Sequence, residues 1–287
     1  MNNVIEYMER FTERYYVFSR ETWYSFHLGG RYVERKTYTI QAIERATSIL
    51  RVLLSNPGGL SLDELSLRTG LHRATTYRIL MNLVQEGFVE RDHSTTYKLG
   101  PLCIQLGGAS LRGLSWKDIA EPIMNEITEQ TQESVYLWVR NRWEVVCIAS
   151  SPSPHAIQHY GYVGQTFPLC AGESGRLIMA YLSEEEAQSC LTDGLSTLPR
   201  FPGTITEEDA LLKDLEGIRK KGYCVSKMEV SHDGVGISAP IKDYRGSIIA
   251  AISLVGPANR ITDDCLPGLI SLVTDGARRI SALLGSM

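Results

Sequence analysis

The chain has 287 residues, of which 43% are hydrophobic and 22% are charged, and its formal net charge is −4. This length suits two domains, and the composition is that of an ordinary globular protein. No apolar run approaches the roughly 20 residues that a membrane-spanning helix needs. The charged N-terminus lacks the apolar core of a signal peptide. We therefore expect a cytoplasmic protein with no membrane partner.

Charge is distributed unevenly along the chain. Residues 31–115 carry 11 basic and 7 acidic side chains, a net of +4. Residues 116–287 carry 15 basic and 22 acidic side chains, a net of −7. A positive module joined to an acidic one is typical of a DNA-binding domain attached to a domain that does not contact DNA.

The cysteines are scattered, without a CxxC pair or a Cys/His spacing typical of zinc. This pattern favours reduced thiols in an intracellular protein over disulfides. We therefore expect no metal site and no cofactor, and free thiols at all six positions: Cys103, Cys147, Cys170, Cys190, Cys224 and Cys265.

Residues 1–38 form an N-terminal extension rich in Tyr, Arg and Glu. Ile5, Met8, Tyr15 and Phe18 roughly keep helical spacing, which favours a short added helix or a partly ordered tail. Nothing in this segment indicates a function.

Residues 39–99 begin with two helices. An apolar stripe predicts the first over residues 39–55, before the Asn-Pro-Gly-Gly stop. Ser61 and Glu64 have the spacing of a capping box, which opens a second, short helix that ends near Arg68.

A tight turn, a third helix and a hairpin follow. Gly70 supplies the turn, because glycine adopts positive φ at little cost. The third helix runs from Arg73 to Gln85, with Gly87 at its end. Two short strands then flank a wing at residues 92–95. This order is that of a winged helix-turn-helix over residues 39–99, which presents its third helix to the major groove of DNA.

The third helix has a core face and an open face. The core face carries Thr76, Leu80, Leu83 and Val84. The open face carries side chains that bond to bases or phosphates: Arg73, Thr75, Tyr77 and Arg78. Wing residues with reach to the DNA backbone or minor groove are His93, Ser94, Thr95 and Lys98. The alternative is that the arginines form a solvated face of a module that binds protein.

The sequence after residue 99 predicts a linker helix over residues 100–115 and an α/β (α+β) domain over residues 116–287. Hairpins with short turns indicate an antiparallel sheet with flanking helices. The predicted strands cover residues 135–140 and 145–150, a third strand ending at Val163, and residues 235–242 and 247–255. The predicted helices cover residues 119–131, 172–182, 184–191, 206–222 and 263–284.

Residues 39–287 resemble the IclR family of bacterial transcription regulators. The resemblance rests on four segments: GLHRATTYRILMNLVQEGFVERD, VGQTFPLCAGESGRLIMAYL, KGYCVSKMEV and GISAPIKDYRGSIIAAISLVGP. The last is the most specific, because it combines an Ala-Pro strand, a Gly turn and a Gly-Pro end. The first alone would fit many winged-helix families.

The resemblance implies a GAF-like effector domain that binds a small metabolite, usually an organic acid or an aromatic compound. It also implies homodimers joined through the DNA-binding domains and linker helices, often paired into tetramers. The expected partners are thus double-stranded operator DNA, a small-molecule effector and further copies of the chain. Both repression and activation occur in the family.

By position, the resemblance places an effector pocket at Glu173, Ser174, Ser226, Gly236, Ser253 and Val255. The chain departs from the polar set of members that bind small keto acids. Ser226 stands where an Asp is expected, Gly236 where a Cys is expected, and Val255 where a Ser is expected. This loss of polar groups predicts an effector that is larger or more apolar than a two-carbon acid.

Glu173 has two interpretations. Facing inward, it would repel a carboxylate effector. Facing solvent, it would cap the following helix and interact with its dipole. Ser253 and Val255 alternate on a strand and are equally compatible with core packing. The same choice between core and apolar pocket lining applies to Ile157, Leu169, Cys170 and Met228.

The alternative function is an enzyme acting on a small organic acid, with an appended winged helix. Its candidate residues are Cys170, His155, His159, Ser174, and His232 with Asp233. No motif ties a base to Cys170, GESGR matches a nucleophile elbow only in part, and no GxGxxG or P-loop occurs. We therefore expect a regulator that is not an enzyme.

Overall fold

A computed structural model describes the backbone of three short segments, residues 16–19, 22–25 and 33–35. It further describes residues 40–92, 95–114, 116–158, 161–194 and 202–286. The chain divides into two compact units, Met1–Gly108 and Ala109–Met287.

The N-terminal extension contains strands where helical spacing favoured a helix. They are β1 (Tyr16–Ser19), β2 (Thr22–Ser25) and β3 (Val33–Arg35), and they form an antiparallel sheet in that order. Phe18 pairs with Trp23 across β1 and β2. Aromatic and β-branched residues favour strands, and they outweigh the helical spacing here. Ile5, Met8 and Tyr15 lie outside the described residues.

The rest of the first unit has the predicted winged helix-turn-helix order. It contains α1 (Gln41–Leu54), α2 (Leu62–Thr69), α3 (Arg73–Gln85), β4 (Val89–Arg91) and β5 (Tyr97–Leu99). β4 and β5 pair antiparallel. Leu60 and Tyr97 exchange backbone hydrogen bonds of 2.9 and 2.8 Å, which ties the segment before α2 to the wing.

The α2–turn–α3 geometry follows from local signals. Glu64 Oε2 accepts a hydrogen bond from Ser61 N at 2.8 Å, and Ser61 Oγ accepts one from Glu64 N at 3.3 Å, which completes the capping box. Gly70 ends α2 with φ of 67°. His72 Nδ1 then accepts a hydrogen bond from Ala74 N at 3.3 Å and caps α3. Both helix ends at the turn are thus fixed by adjacent residues.

One apolar core holds the three helices and the wing together. From α3 it receives the face predicted from the sequence, with Thr76 and Leu80 fully buried and Leu83 nearly so. The other buried apolar residues of this core are Ile49, Leu53, Leu60, Leu65, Val89 and Tyr97. Because these side chains come from every element of the module, α3 is held in one orientation.

The linker helix α4 (Pro101–Arg112) follows the wing and spans the boundary between the units. It begins against the wing module, where the Cys103 thiol donates to the Phe88 carbonyl at 3.4 Å. Its Ile104 and Leu106 are largely exposed, at 79% and 50%.

The second unit is a six-stranded antiparallel sheet with helices on both faces. The sheet order is β8-β7-β6-β11-β10-β9. Its strands are β6 (Ser134–Asn141), β7 (Glu144–Ser151), β8 (Thr166–Pro168), β9 (Cys224–Lys227), β10 (Gly234–Lys242) and β11 (Ile248–Pro257). Its helices are α5 (Trp116–Thr131), α6 (Gly172–Met179), α7 (Glu184–Gly194), α8 (Glu208–Lys221) and α9 (Leu266–Leu283).

Side chains that alternate along the strands separate two cores. Val135 and Leu137 of β6 join the core that contains α5 and α9. Tyr136 and Trp138 face the other way, toward the core that contains α6, α7 and α8. The latter face carries the cavity described below.

Two strand predictions in this unit differ from the structure. The third strand ending at Val163 is wrong, because the chain turns there: Gln165 N bonds to Tyr162 O at 3.0 Å and Gly164 has φ of 93°. The strand instead follows this turn as β8. The sequence analysis also missed β9, whose four residues are too few for a clear alternation.

A buried ion network anchors α6. Arg176, 2% exposed, forms ion pairs with Asp214 of α8 and Glu229, which follows β9. It also donates to the Val225 carbonyl at 3.0 Å. Glu229 in turn accepts from Gly172 N at 3.2 Å, at the start of α6. The network therefore ties α6 to α8 and to the edge of the sheet.

The environment of Glu229 sets its protonation. Burial raises the pKa of this carboxyl to about 7, with Glu173 adding to the rise and Arg176 opposing it. Removing Arg176 would leave carboxylates buried without a cation, which costs roughly 3–5 kcal/mol in comparable pairs.

We expect Leu80→Ala to destabilise the first unit by about 2–5 kcal/mol, because Leu80 is fully buried and its truncation leaves a cavity. Hydrogen exchange of the α3 amides in the full chain, with and without urea, measures the loss. Leu67→Ala is the matched control, since Leu67 is 84% exposed and its truncation should change stability by less than about 0.5 kcal/mol. Equal effects of the two substitutions would contradict this core.

The raised pKa of Glu229 predicts that the second unit loses stability as pH rises from about 4.5 to about 7. In this interval the folded state holds a proton that the unfolded chain has released, so raising the pH favours unfolding. The expected loss is on the order of 3 kcal/mol. Calorimetry of the full chain across this range measures it, and Glu229→Gln should flatten the profile. Glu216→Gln, at an exposed position of α8, should not.

Candidate DNA-binding and effector sites

The face of α3 opposite the core carries the four helix residues predicted to contact DNA. Arg73, Tyr77 and Arg78 are exposed, and Thr75 is half-buried. Thr76, between them, is fully buried and its hydroxyl donates to the His72 carbonyl at 3.3 Å. The burial pattern therefore turns one arginine-rich side of the helix toward solvent.

The two arginines of this face differ in their partners. Arg73 forms an ion pair with Asp63 of α2, and both side chains are more than half exposed. Such exposed pairs contribute little free energy, so a phosphate can replace the aspartate. Arg78 forms no ion pair with any described residue. It lines a groove between α1 and α3 together with Arg45 and Asn82, two residues that the sequence analysis did not single out.

The wing presents a smaller polar surface. Thr95 is exposed and adopts φ of 66°, at the tip of the hairpin. Lys98 pairs with Glu90 on the neighbouring strand at 3.2 Å, with both side chains about two-fifths exposed. His93 and Ser94 lie outside the described residues.

In the second unit, a cavity opens at the N-terminal end of α6. It is a small cavity, with a volume of about 30 Å³, and it is partly open to solvent. Three of the residues predicted to bind the effector line it: Glu173, Ser174 and Val255. The remaining walls include Tyr136, Trp138, Val145, Gln165, Phe167 and Val230.

Glu173 faces inward, so the interpretation that it points to solvent is wrong. Its side chain is 6% exposed. Its Oε2 accepts a hydrogen bond from Ser226 Oγ at 2.8 Å, and its Oε1 accepts one from Ser174 Oγ at 3.3 Å. Its backbone carbonyl accepts from Ser238 Oγ at 2.8 Å. The carboxylate is therefore held among hydroxyl groups at the cavity wall.

Gly236 and Ser226 lie behind this carboxylate and are not part of the cavity wall. A Cβ atom on Gly236 would collide with the Glu173 carboxylate. The space that a cysteine side chain would occupy at this position is thus filled by Glu173. Glu173, from another element, thus supplies a polar group at the place where Gly236 supplies none.

Ser253 lies beneath the cavity and positions one of its walls. It is fully buried, and its hydroxyl accepts a hydrogen bond from Trp138 Nε1 at 2.9 Å. This bond satisfies the only polar atom of the indole ring and fixes its orientation. Ser253 therefore acts through Trp138 in this structure, whereas Val255 faces the cavity directly.

The sequence analysis missed the aromatic walls. The Trp138 ring centroid lies 6.0 Å from that of Tyr136 and 5.6 Å from that of Phe167. A Cβ on Gly161 would lie 2.6 Å from the Tyr136 ring, so only glycine allows this approach. Burial raises the pKa of the Tyr136 hydroxyl. The period-two spacing of Tyr136 and Trp138 was the available signal, because it places both rings on one face of β6.

Other candidates from the sequence do not line the cavity. Leu169 and Cys170 lie in the core, while Ile157 is 78% exposed and Met228 is 37% exposed. A hydrogen bond from Cys190 lowers the pKa of the Cys170 thiol, which is 1% exposed.

Of the other residues considered for catalysis, His155, His232 and Asp233 are exposed, and His159 lies outside the described residues. The described residues contain no cluster of three or more His, Cys, Asp or Glu that could hold a metal ion. None of the described helices is both long and apolar enough to span a bilayer.

Each of the two units matches a known protein family model. The family model described as the bacterial transcriptional regulator IclR C-terminal matches residues 109–282. The model of the IclR helix-turn-helix domain matches residues 42–93.

Two curated relatives and one solved structure show how far the similarity extends. The HTH-type transcriptional regulator KipR of Bacillus subtilis (strain 168) is 30% identical over 245 residues, which are 85% of this chain and 97% of KipR. The HTH-type transcriptional repressor AllR of Escherichia coli (strain K12) is 34% identical over 247 residues, 85% of this chain and 90% of AllR. The crystal structure of an IclR transcriptional regulator from Alicyclobacillus acidocaldarius is 26% identical, with a TM-score of 0.74 over 86% of this chain and 100% of that one. The chain therefore belongs to the IclR family and is a DNA-binding transcriptional regulator.

Proposed function

We propose that the chain regulates transcription by placing α3 in the major groove of operator DNA, under the control of a small organic effector in the second unit. The exposed arginine face of α3 carries this proposal, because a rigid helix with that face fits the groove and its phosphates. The functional division is then DNA-binding domain 39–99, linker helix 100–115 and effector domain 116–287, preceded by the extension 1–38.

In this arrangement the residues of α3 have separate roles. Arg78, which has no ion pair among the described residues, contacts a guanine edge or a phosphate. Arg73 exchanges Asp63 for a phosphate, and the Tyr77 hydroxyl reaches the backbone. Thr75 contacts bases, and the wing, with Thr95 and Lys98, reaches the backbone or minor groove.

Self-association is supported by exposed apolar side chains in the first unit. Ile40, Ile43 and Leu54 flank or lie on α1 and are each about 60% exposed, and Ile104 and Leu106 lie exposed on α4. Ile40 and Ile43 are three positions apart, and adjoining exposed apolar residues are found on interaction surfaces. A homodimer, which can pair further into a tetramer, would place two copies of α3 at half-sites about 34–36 Å or a multiple apart on a palindromic operator.

Regulation requires that the effector bind the DNA-competent and the incompetent states with unequal affinity. The aromatic walls and the Glu173 carboxylate give the cavity the mixed lining of a small-molecule site. We further propose that the effector is bound and not transformed, since Cys170 is in the core and the described histidines are exposed. The protein acts in the cytoplasm, where its operator DNA is accessible.

Arg78→Ala tests the recognition helix. We expect operator affinity to fall by about tenfold or more, measured by fluorescence anisotropy on a DNA site selected from a random library. A phosphate contact gives an equal loss on all sequences and a salt slope smaller by about 0.9, whereas a base contact lowers the preference for the selected site. The control is Arg278→Ala, which removes an equally charged, 79% exposed side chain from α9. Unchanged affinity in both Arg78→Ala and Arg73→Ala would contradict the assignment of α3.

Effector binding without turnover is tested separately. A compound that raises the Tm of the full chain should be recovered unchanged after prolonged incubation, since binding to the native state alone is enough to stabilise it. Chromatography of the incubated compound measures this. Its depletion by the wild type, but not by Cys170→Ala or Ser174→Ala, would establish the enzymatic alternative instead.

A further inference from the structure

We propose that the effector of this chain is a small organic cation, an amine whose ammonium group binds the buried carboxylate of Glu173 while its apolar part packs against the aromatic walls. This inference rests on the proposed effector function of the second unit and specifies the chemical class of the effector.

The Glu173 carboxylate has no cationic partner among the described residues. Its side chain is 94% buried, and the described residues offer it no ion pair, only hydroxyl donors from Ser174 and Ser226. A buried carboxylate costs free energy unless a cation or strong donors compensate it. The carboxylate lies at the wall of a cavity that opens to solvent, so a ligand can provide the missing charge.

The cation nearest along α6, Arg176, already pairs with other carboxylates. Arg176, one turn further along α6, pairs with Asp214 and Glu229 and also donates to the Val225 carbonyl. One positive charge therefore faces three carboxylates in this region. Arg176 is thus not available to Glu173, and an anionic ligand beside this carboxylate would meet like charge at short range.

The aromatic lining of the cavity also favours a cation. Tyr136, Trp138 and Phe167 are cavity walls, and an ammonium group within about 6 Å of such ring faces is attracted by their quadrupoles. Ser253 fixes the indole, so the surface is in place before a ligand arrives. A carboxylate beside aromatic faces provides both recognition elements of an organic ammonium ion.

The test uses the full chain and matched probes that differ mainly in charge. Benzylamine is compared with benzoate and benzyl alcohol, and propylamine with propionate, by calorimetry and by tryptophan fluorescence. We expect one or both amines to bind at least about tenfold more tightly than the matching acid, because only the amine pairs with Glu173. An acid that binds as tightly as its amine, or no amine binding at millimolar concentration, would overturn the proposal. This comparison needs no variant to fold.

Glu173→Gln then separates charge from shape. The amide keeps the size of the side chain and one acceptor oxygen, its NH2 group can donate to the other serine hydroxyl, and the charge is removed. The amine preference should therefore fall by about tenfold or vanish. Glu184→Gln, at an exposed position at the start of α7, should leave the preference unchanged. An amine affinity that survives in Glu173→Gln, in a variant with unaltered operator affinity, would show that Glu173 is not the binding group.

The outcomes distinguish this inference from the proposed function. If acids bind in the cavity and change operator affinity while amines do neither, the chain is an effector-controlled regulator and only the cationic class is wrong. If the wild type binds no selected DNA site, either alone or with any of the compounds, the proposed function itself fails.

Discussion

The second unit depends on one buried guanidinium. Arg176 joins α6 to Asp214 of α8 and to Glu229 behind β9, and Glu229 holds the first amide of α6 in turn. The position of α6 decides where Glu173 and Ser174 lie, so the cavity wall is set by a contact that is not itself in the cavity. Since breaking a buried pair costs several kcal/mol, α6 has little freedom to adjust to a ligand. Selectivity must then come from side chains already in place.

Because α6 is held in place, the Glu173 side chain must fit the space beside Gly236. A glycine in a buried strand normally weakens the strand and leaves space. Here the carboxylate from α6 fills that space, and any side chain at Gly236 would displace it. Taken alone, the glycine looks like a lost polar group. Taken with Glu173, the glycine leaves the space that the carboxylate occupies. A larger residue at position 236 would displace this charge from the site.

The sequence predicted well the structural features that depend on interactions between residues close together in the chain. Residues only a few positions apart determine the capping box at Ser61, the turn at Gly70 and the ends of α3. They also determine the buried face of α3, which carries Thr76 and Leu80. The ion network was invisible because Arg176 and Glu229 are 53 positions apart, and no local pattern marks such a pair. Position within a family located Glu173 but not the direction of its side chain, and only the period-two spacing of Tyr136 and Trp138 indicated the aromatic walls.

The charged groups of the two units differ in sign and in burial, so salt weakens their interactions with ligands to different extents. The arginines of α3 are exposed, so their attraction to phosphates is screened and falls steeply with ionic strength. The carboxylate of Glu173 is buried, so a cation beside it is screened much less. The net negative charge of the second unit also discourages it from competing for DNA phosphates. Under the two proposals, the arginines of α3 attract DNA phosphates and the Glu173 carboxylate attracts an ammonium ion, so each surface repels the ligand that the other binds.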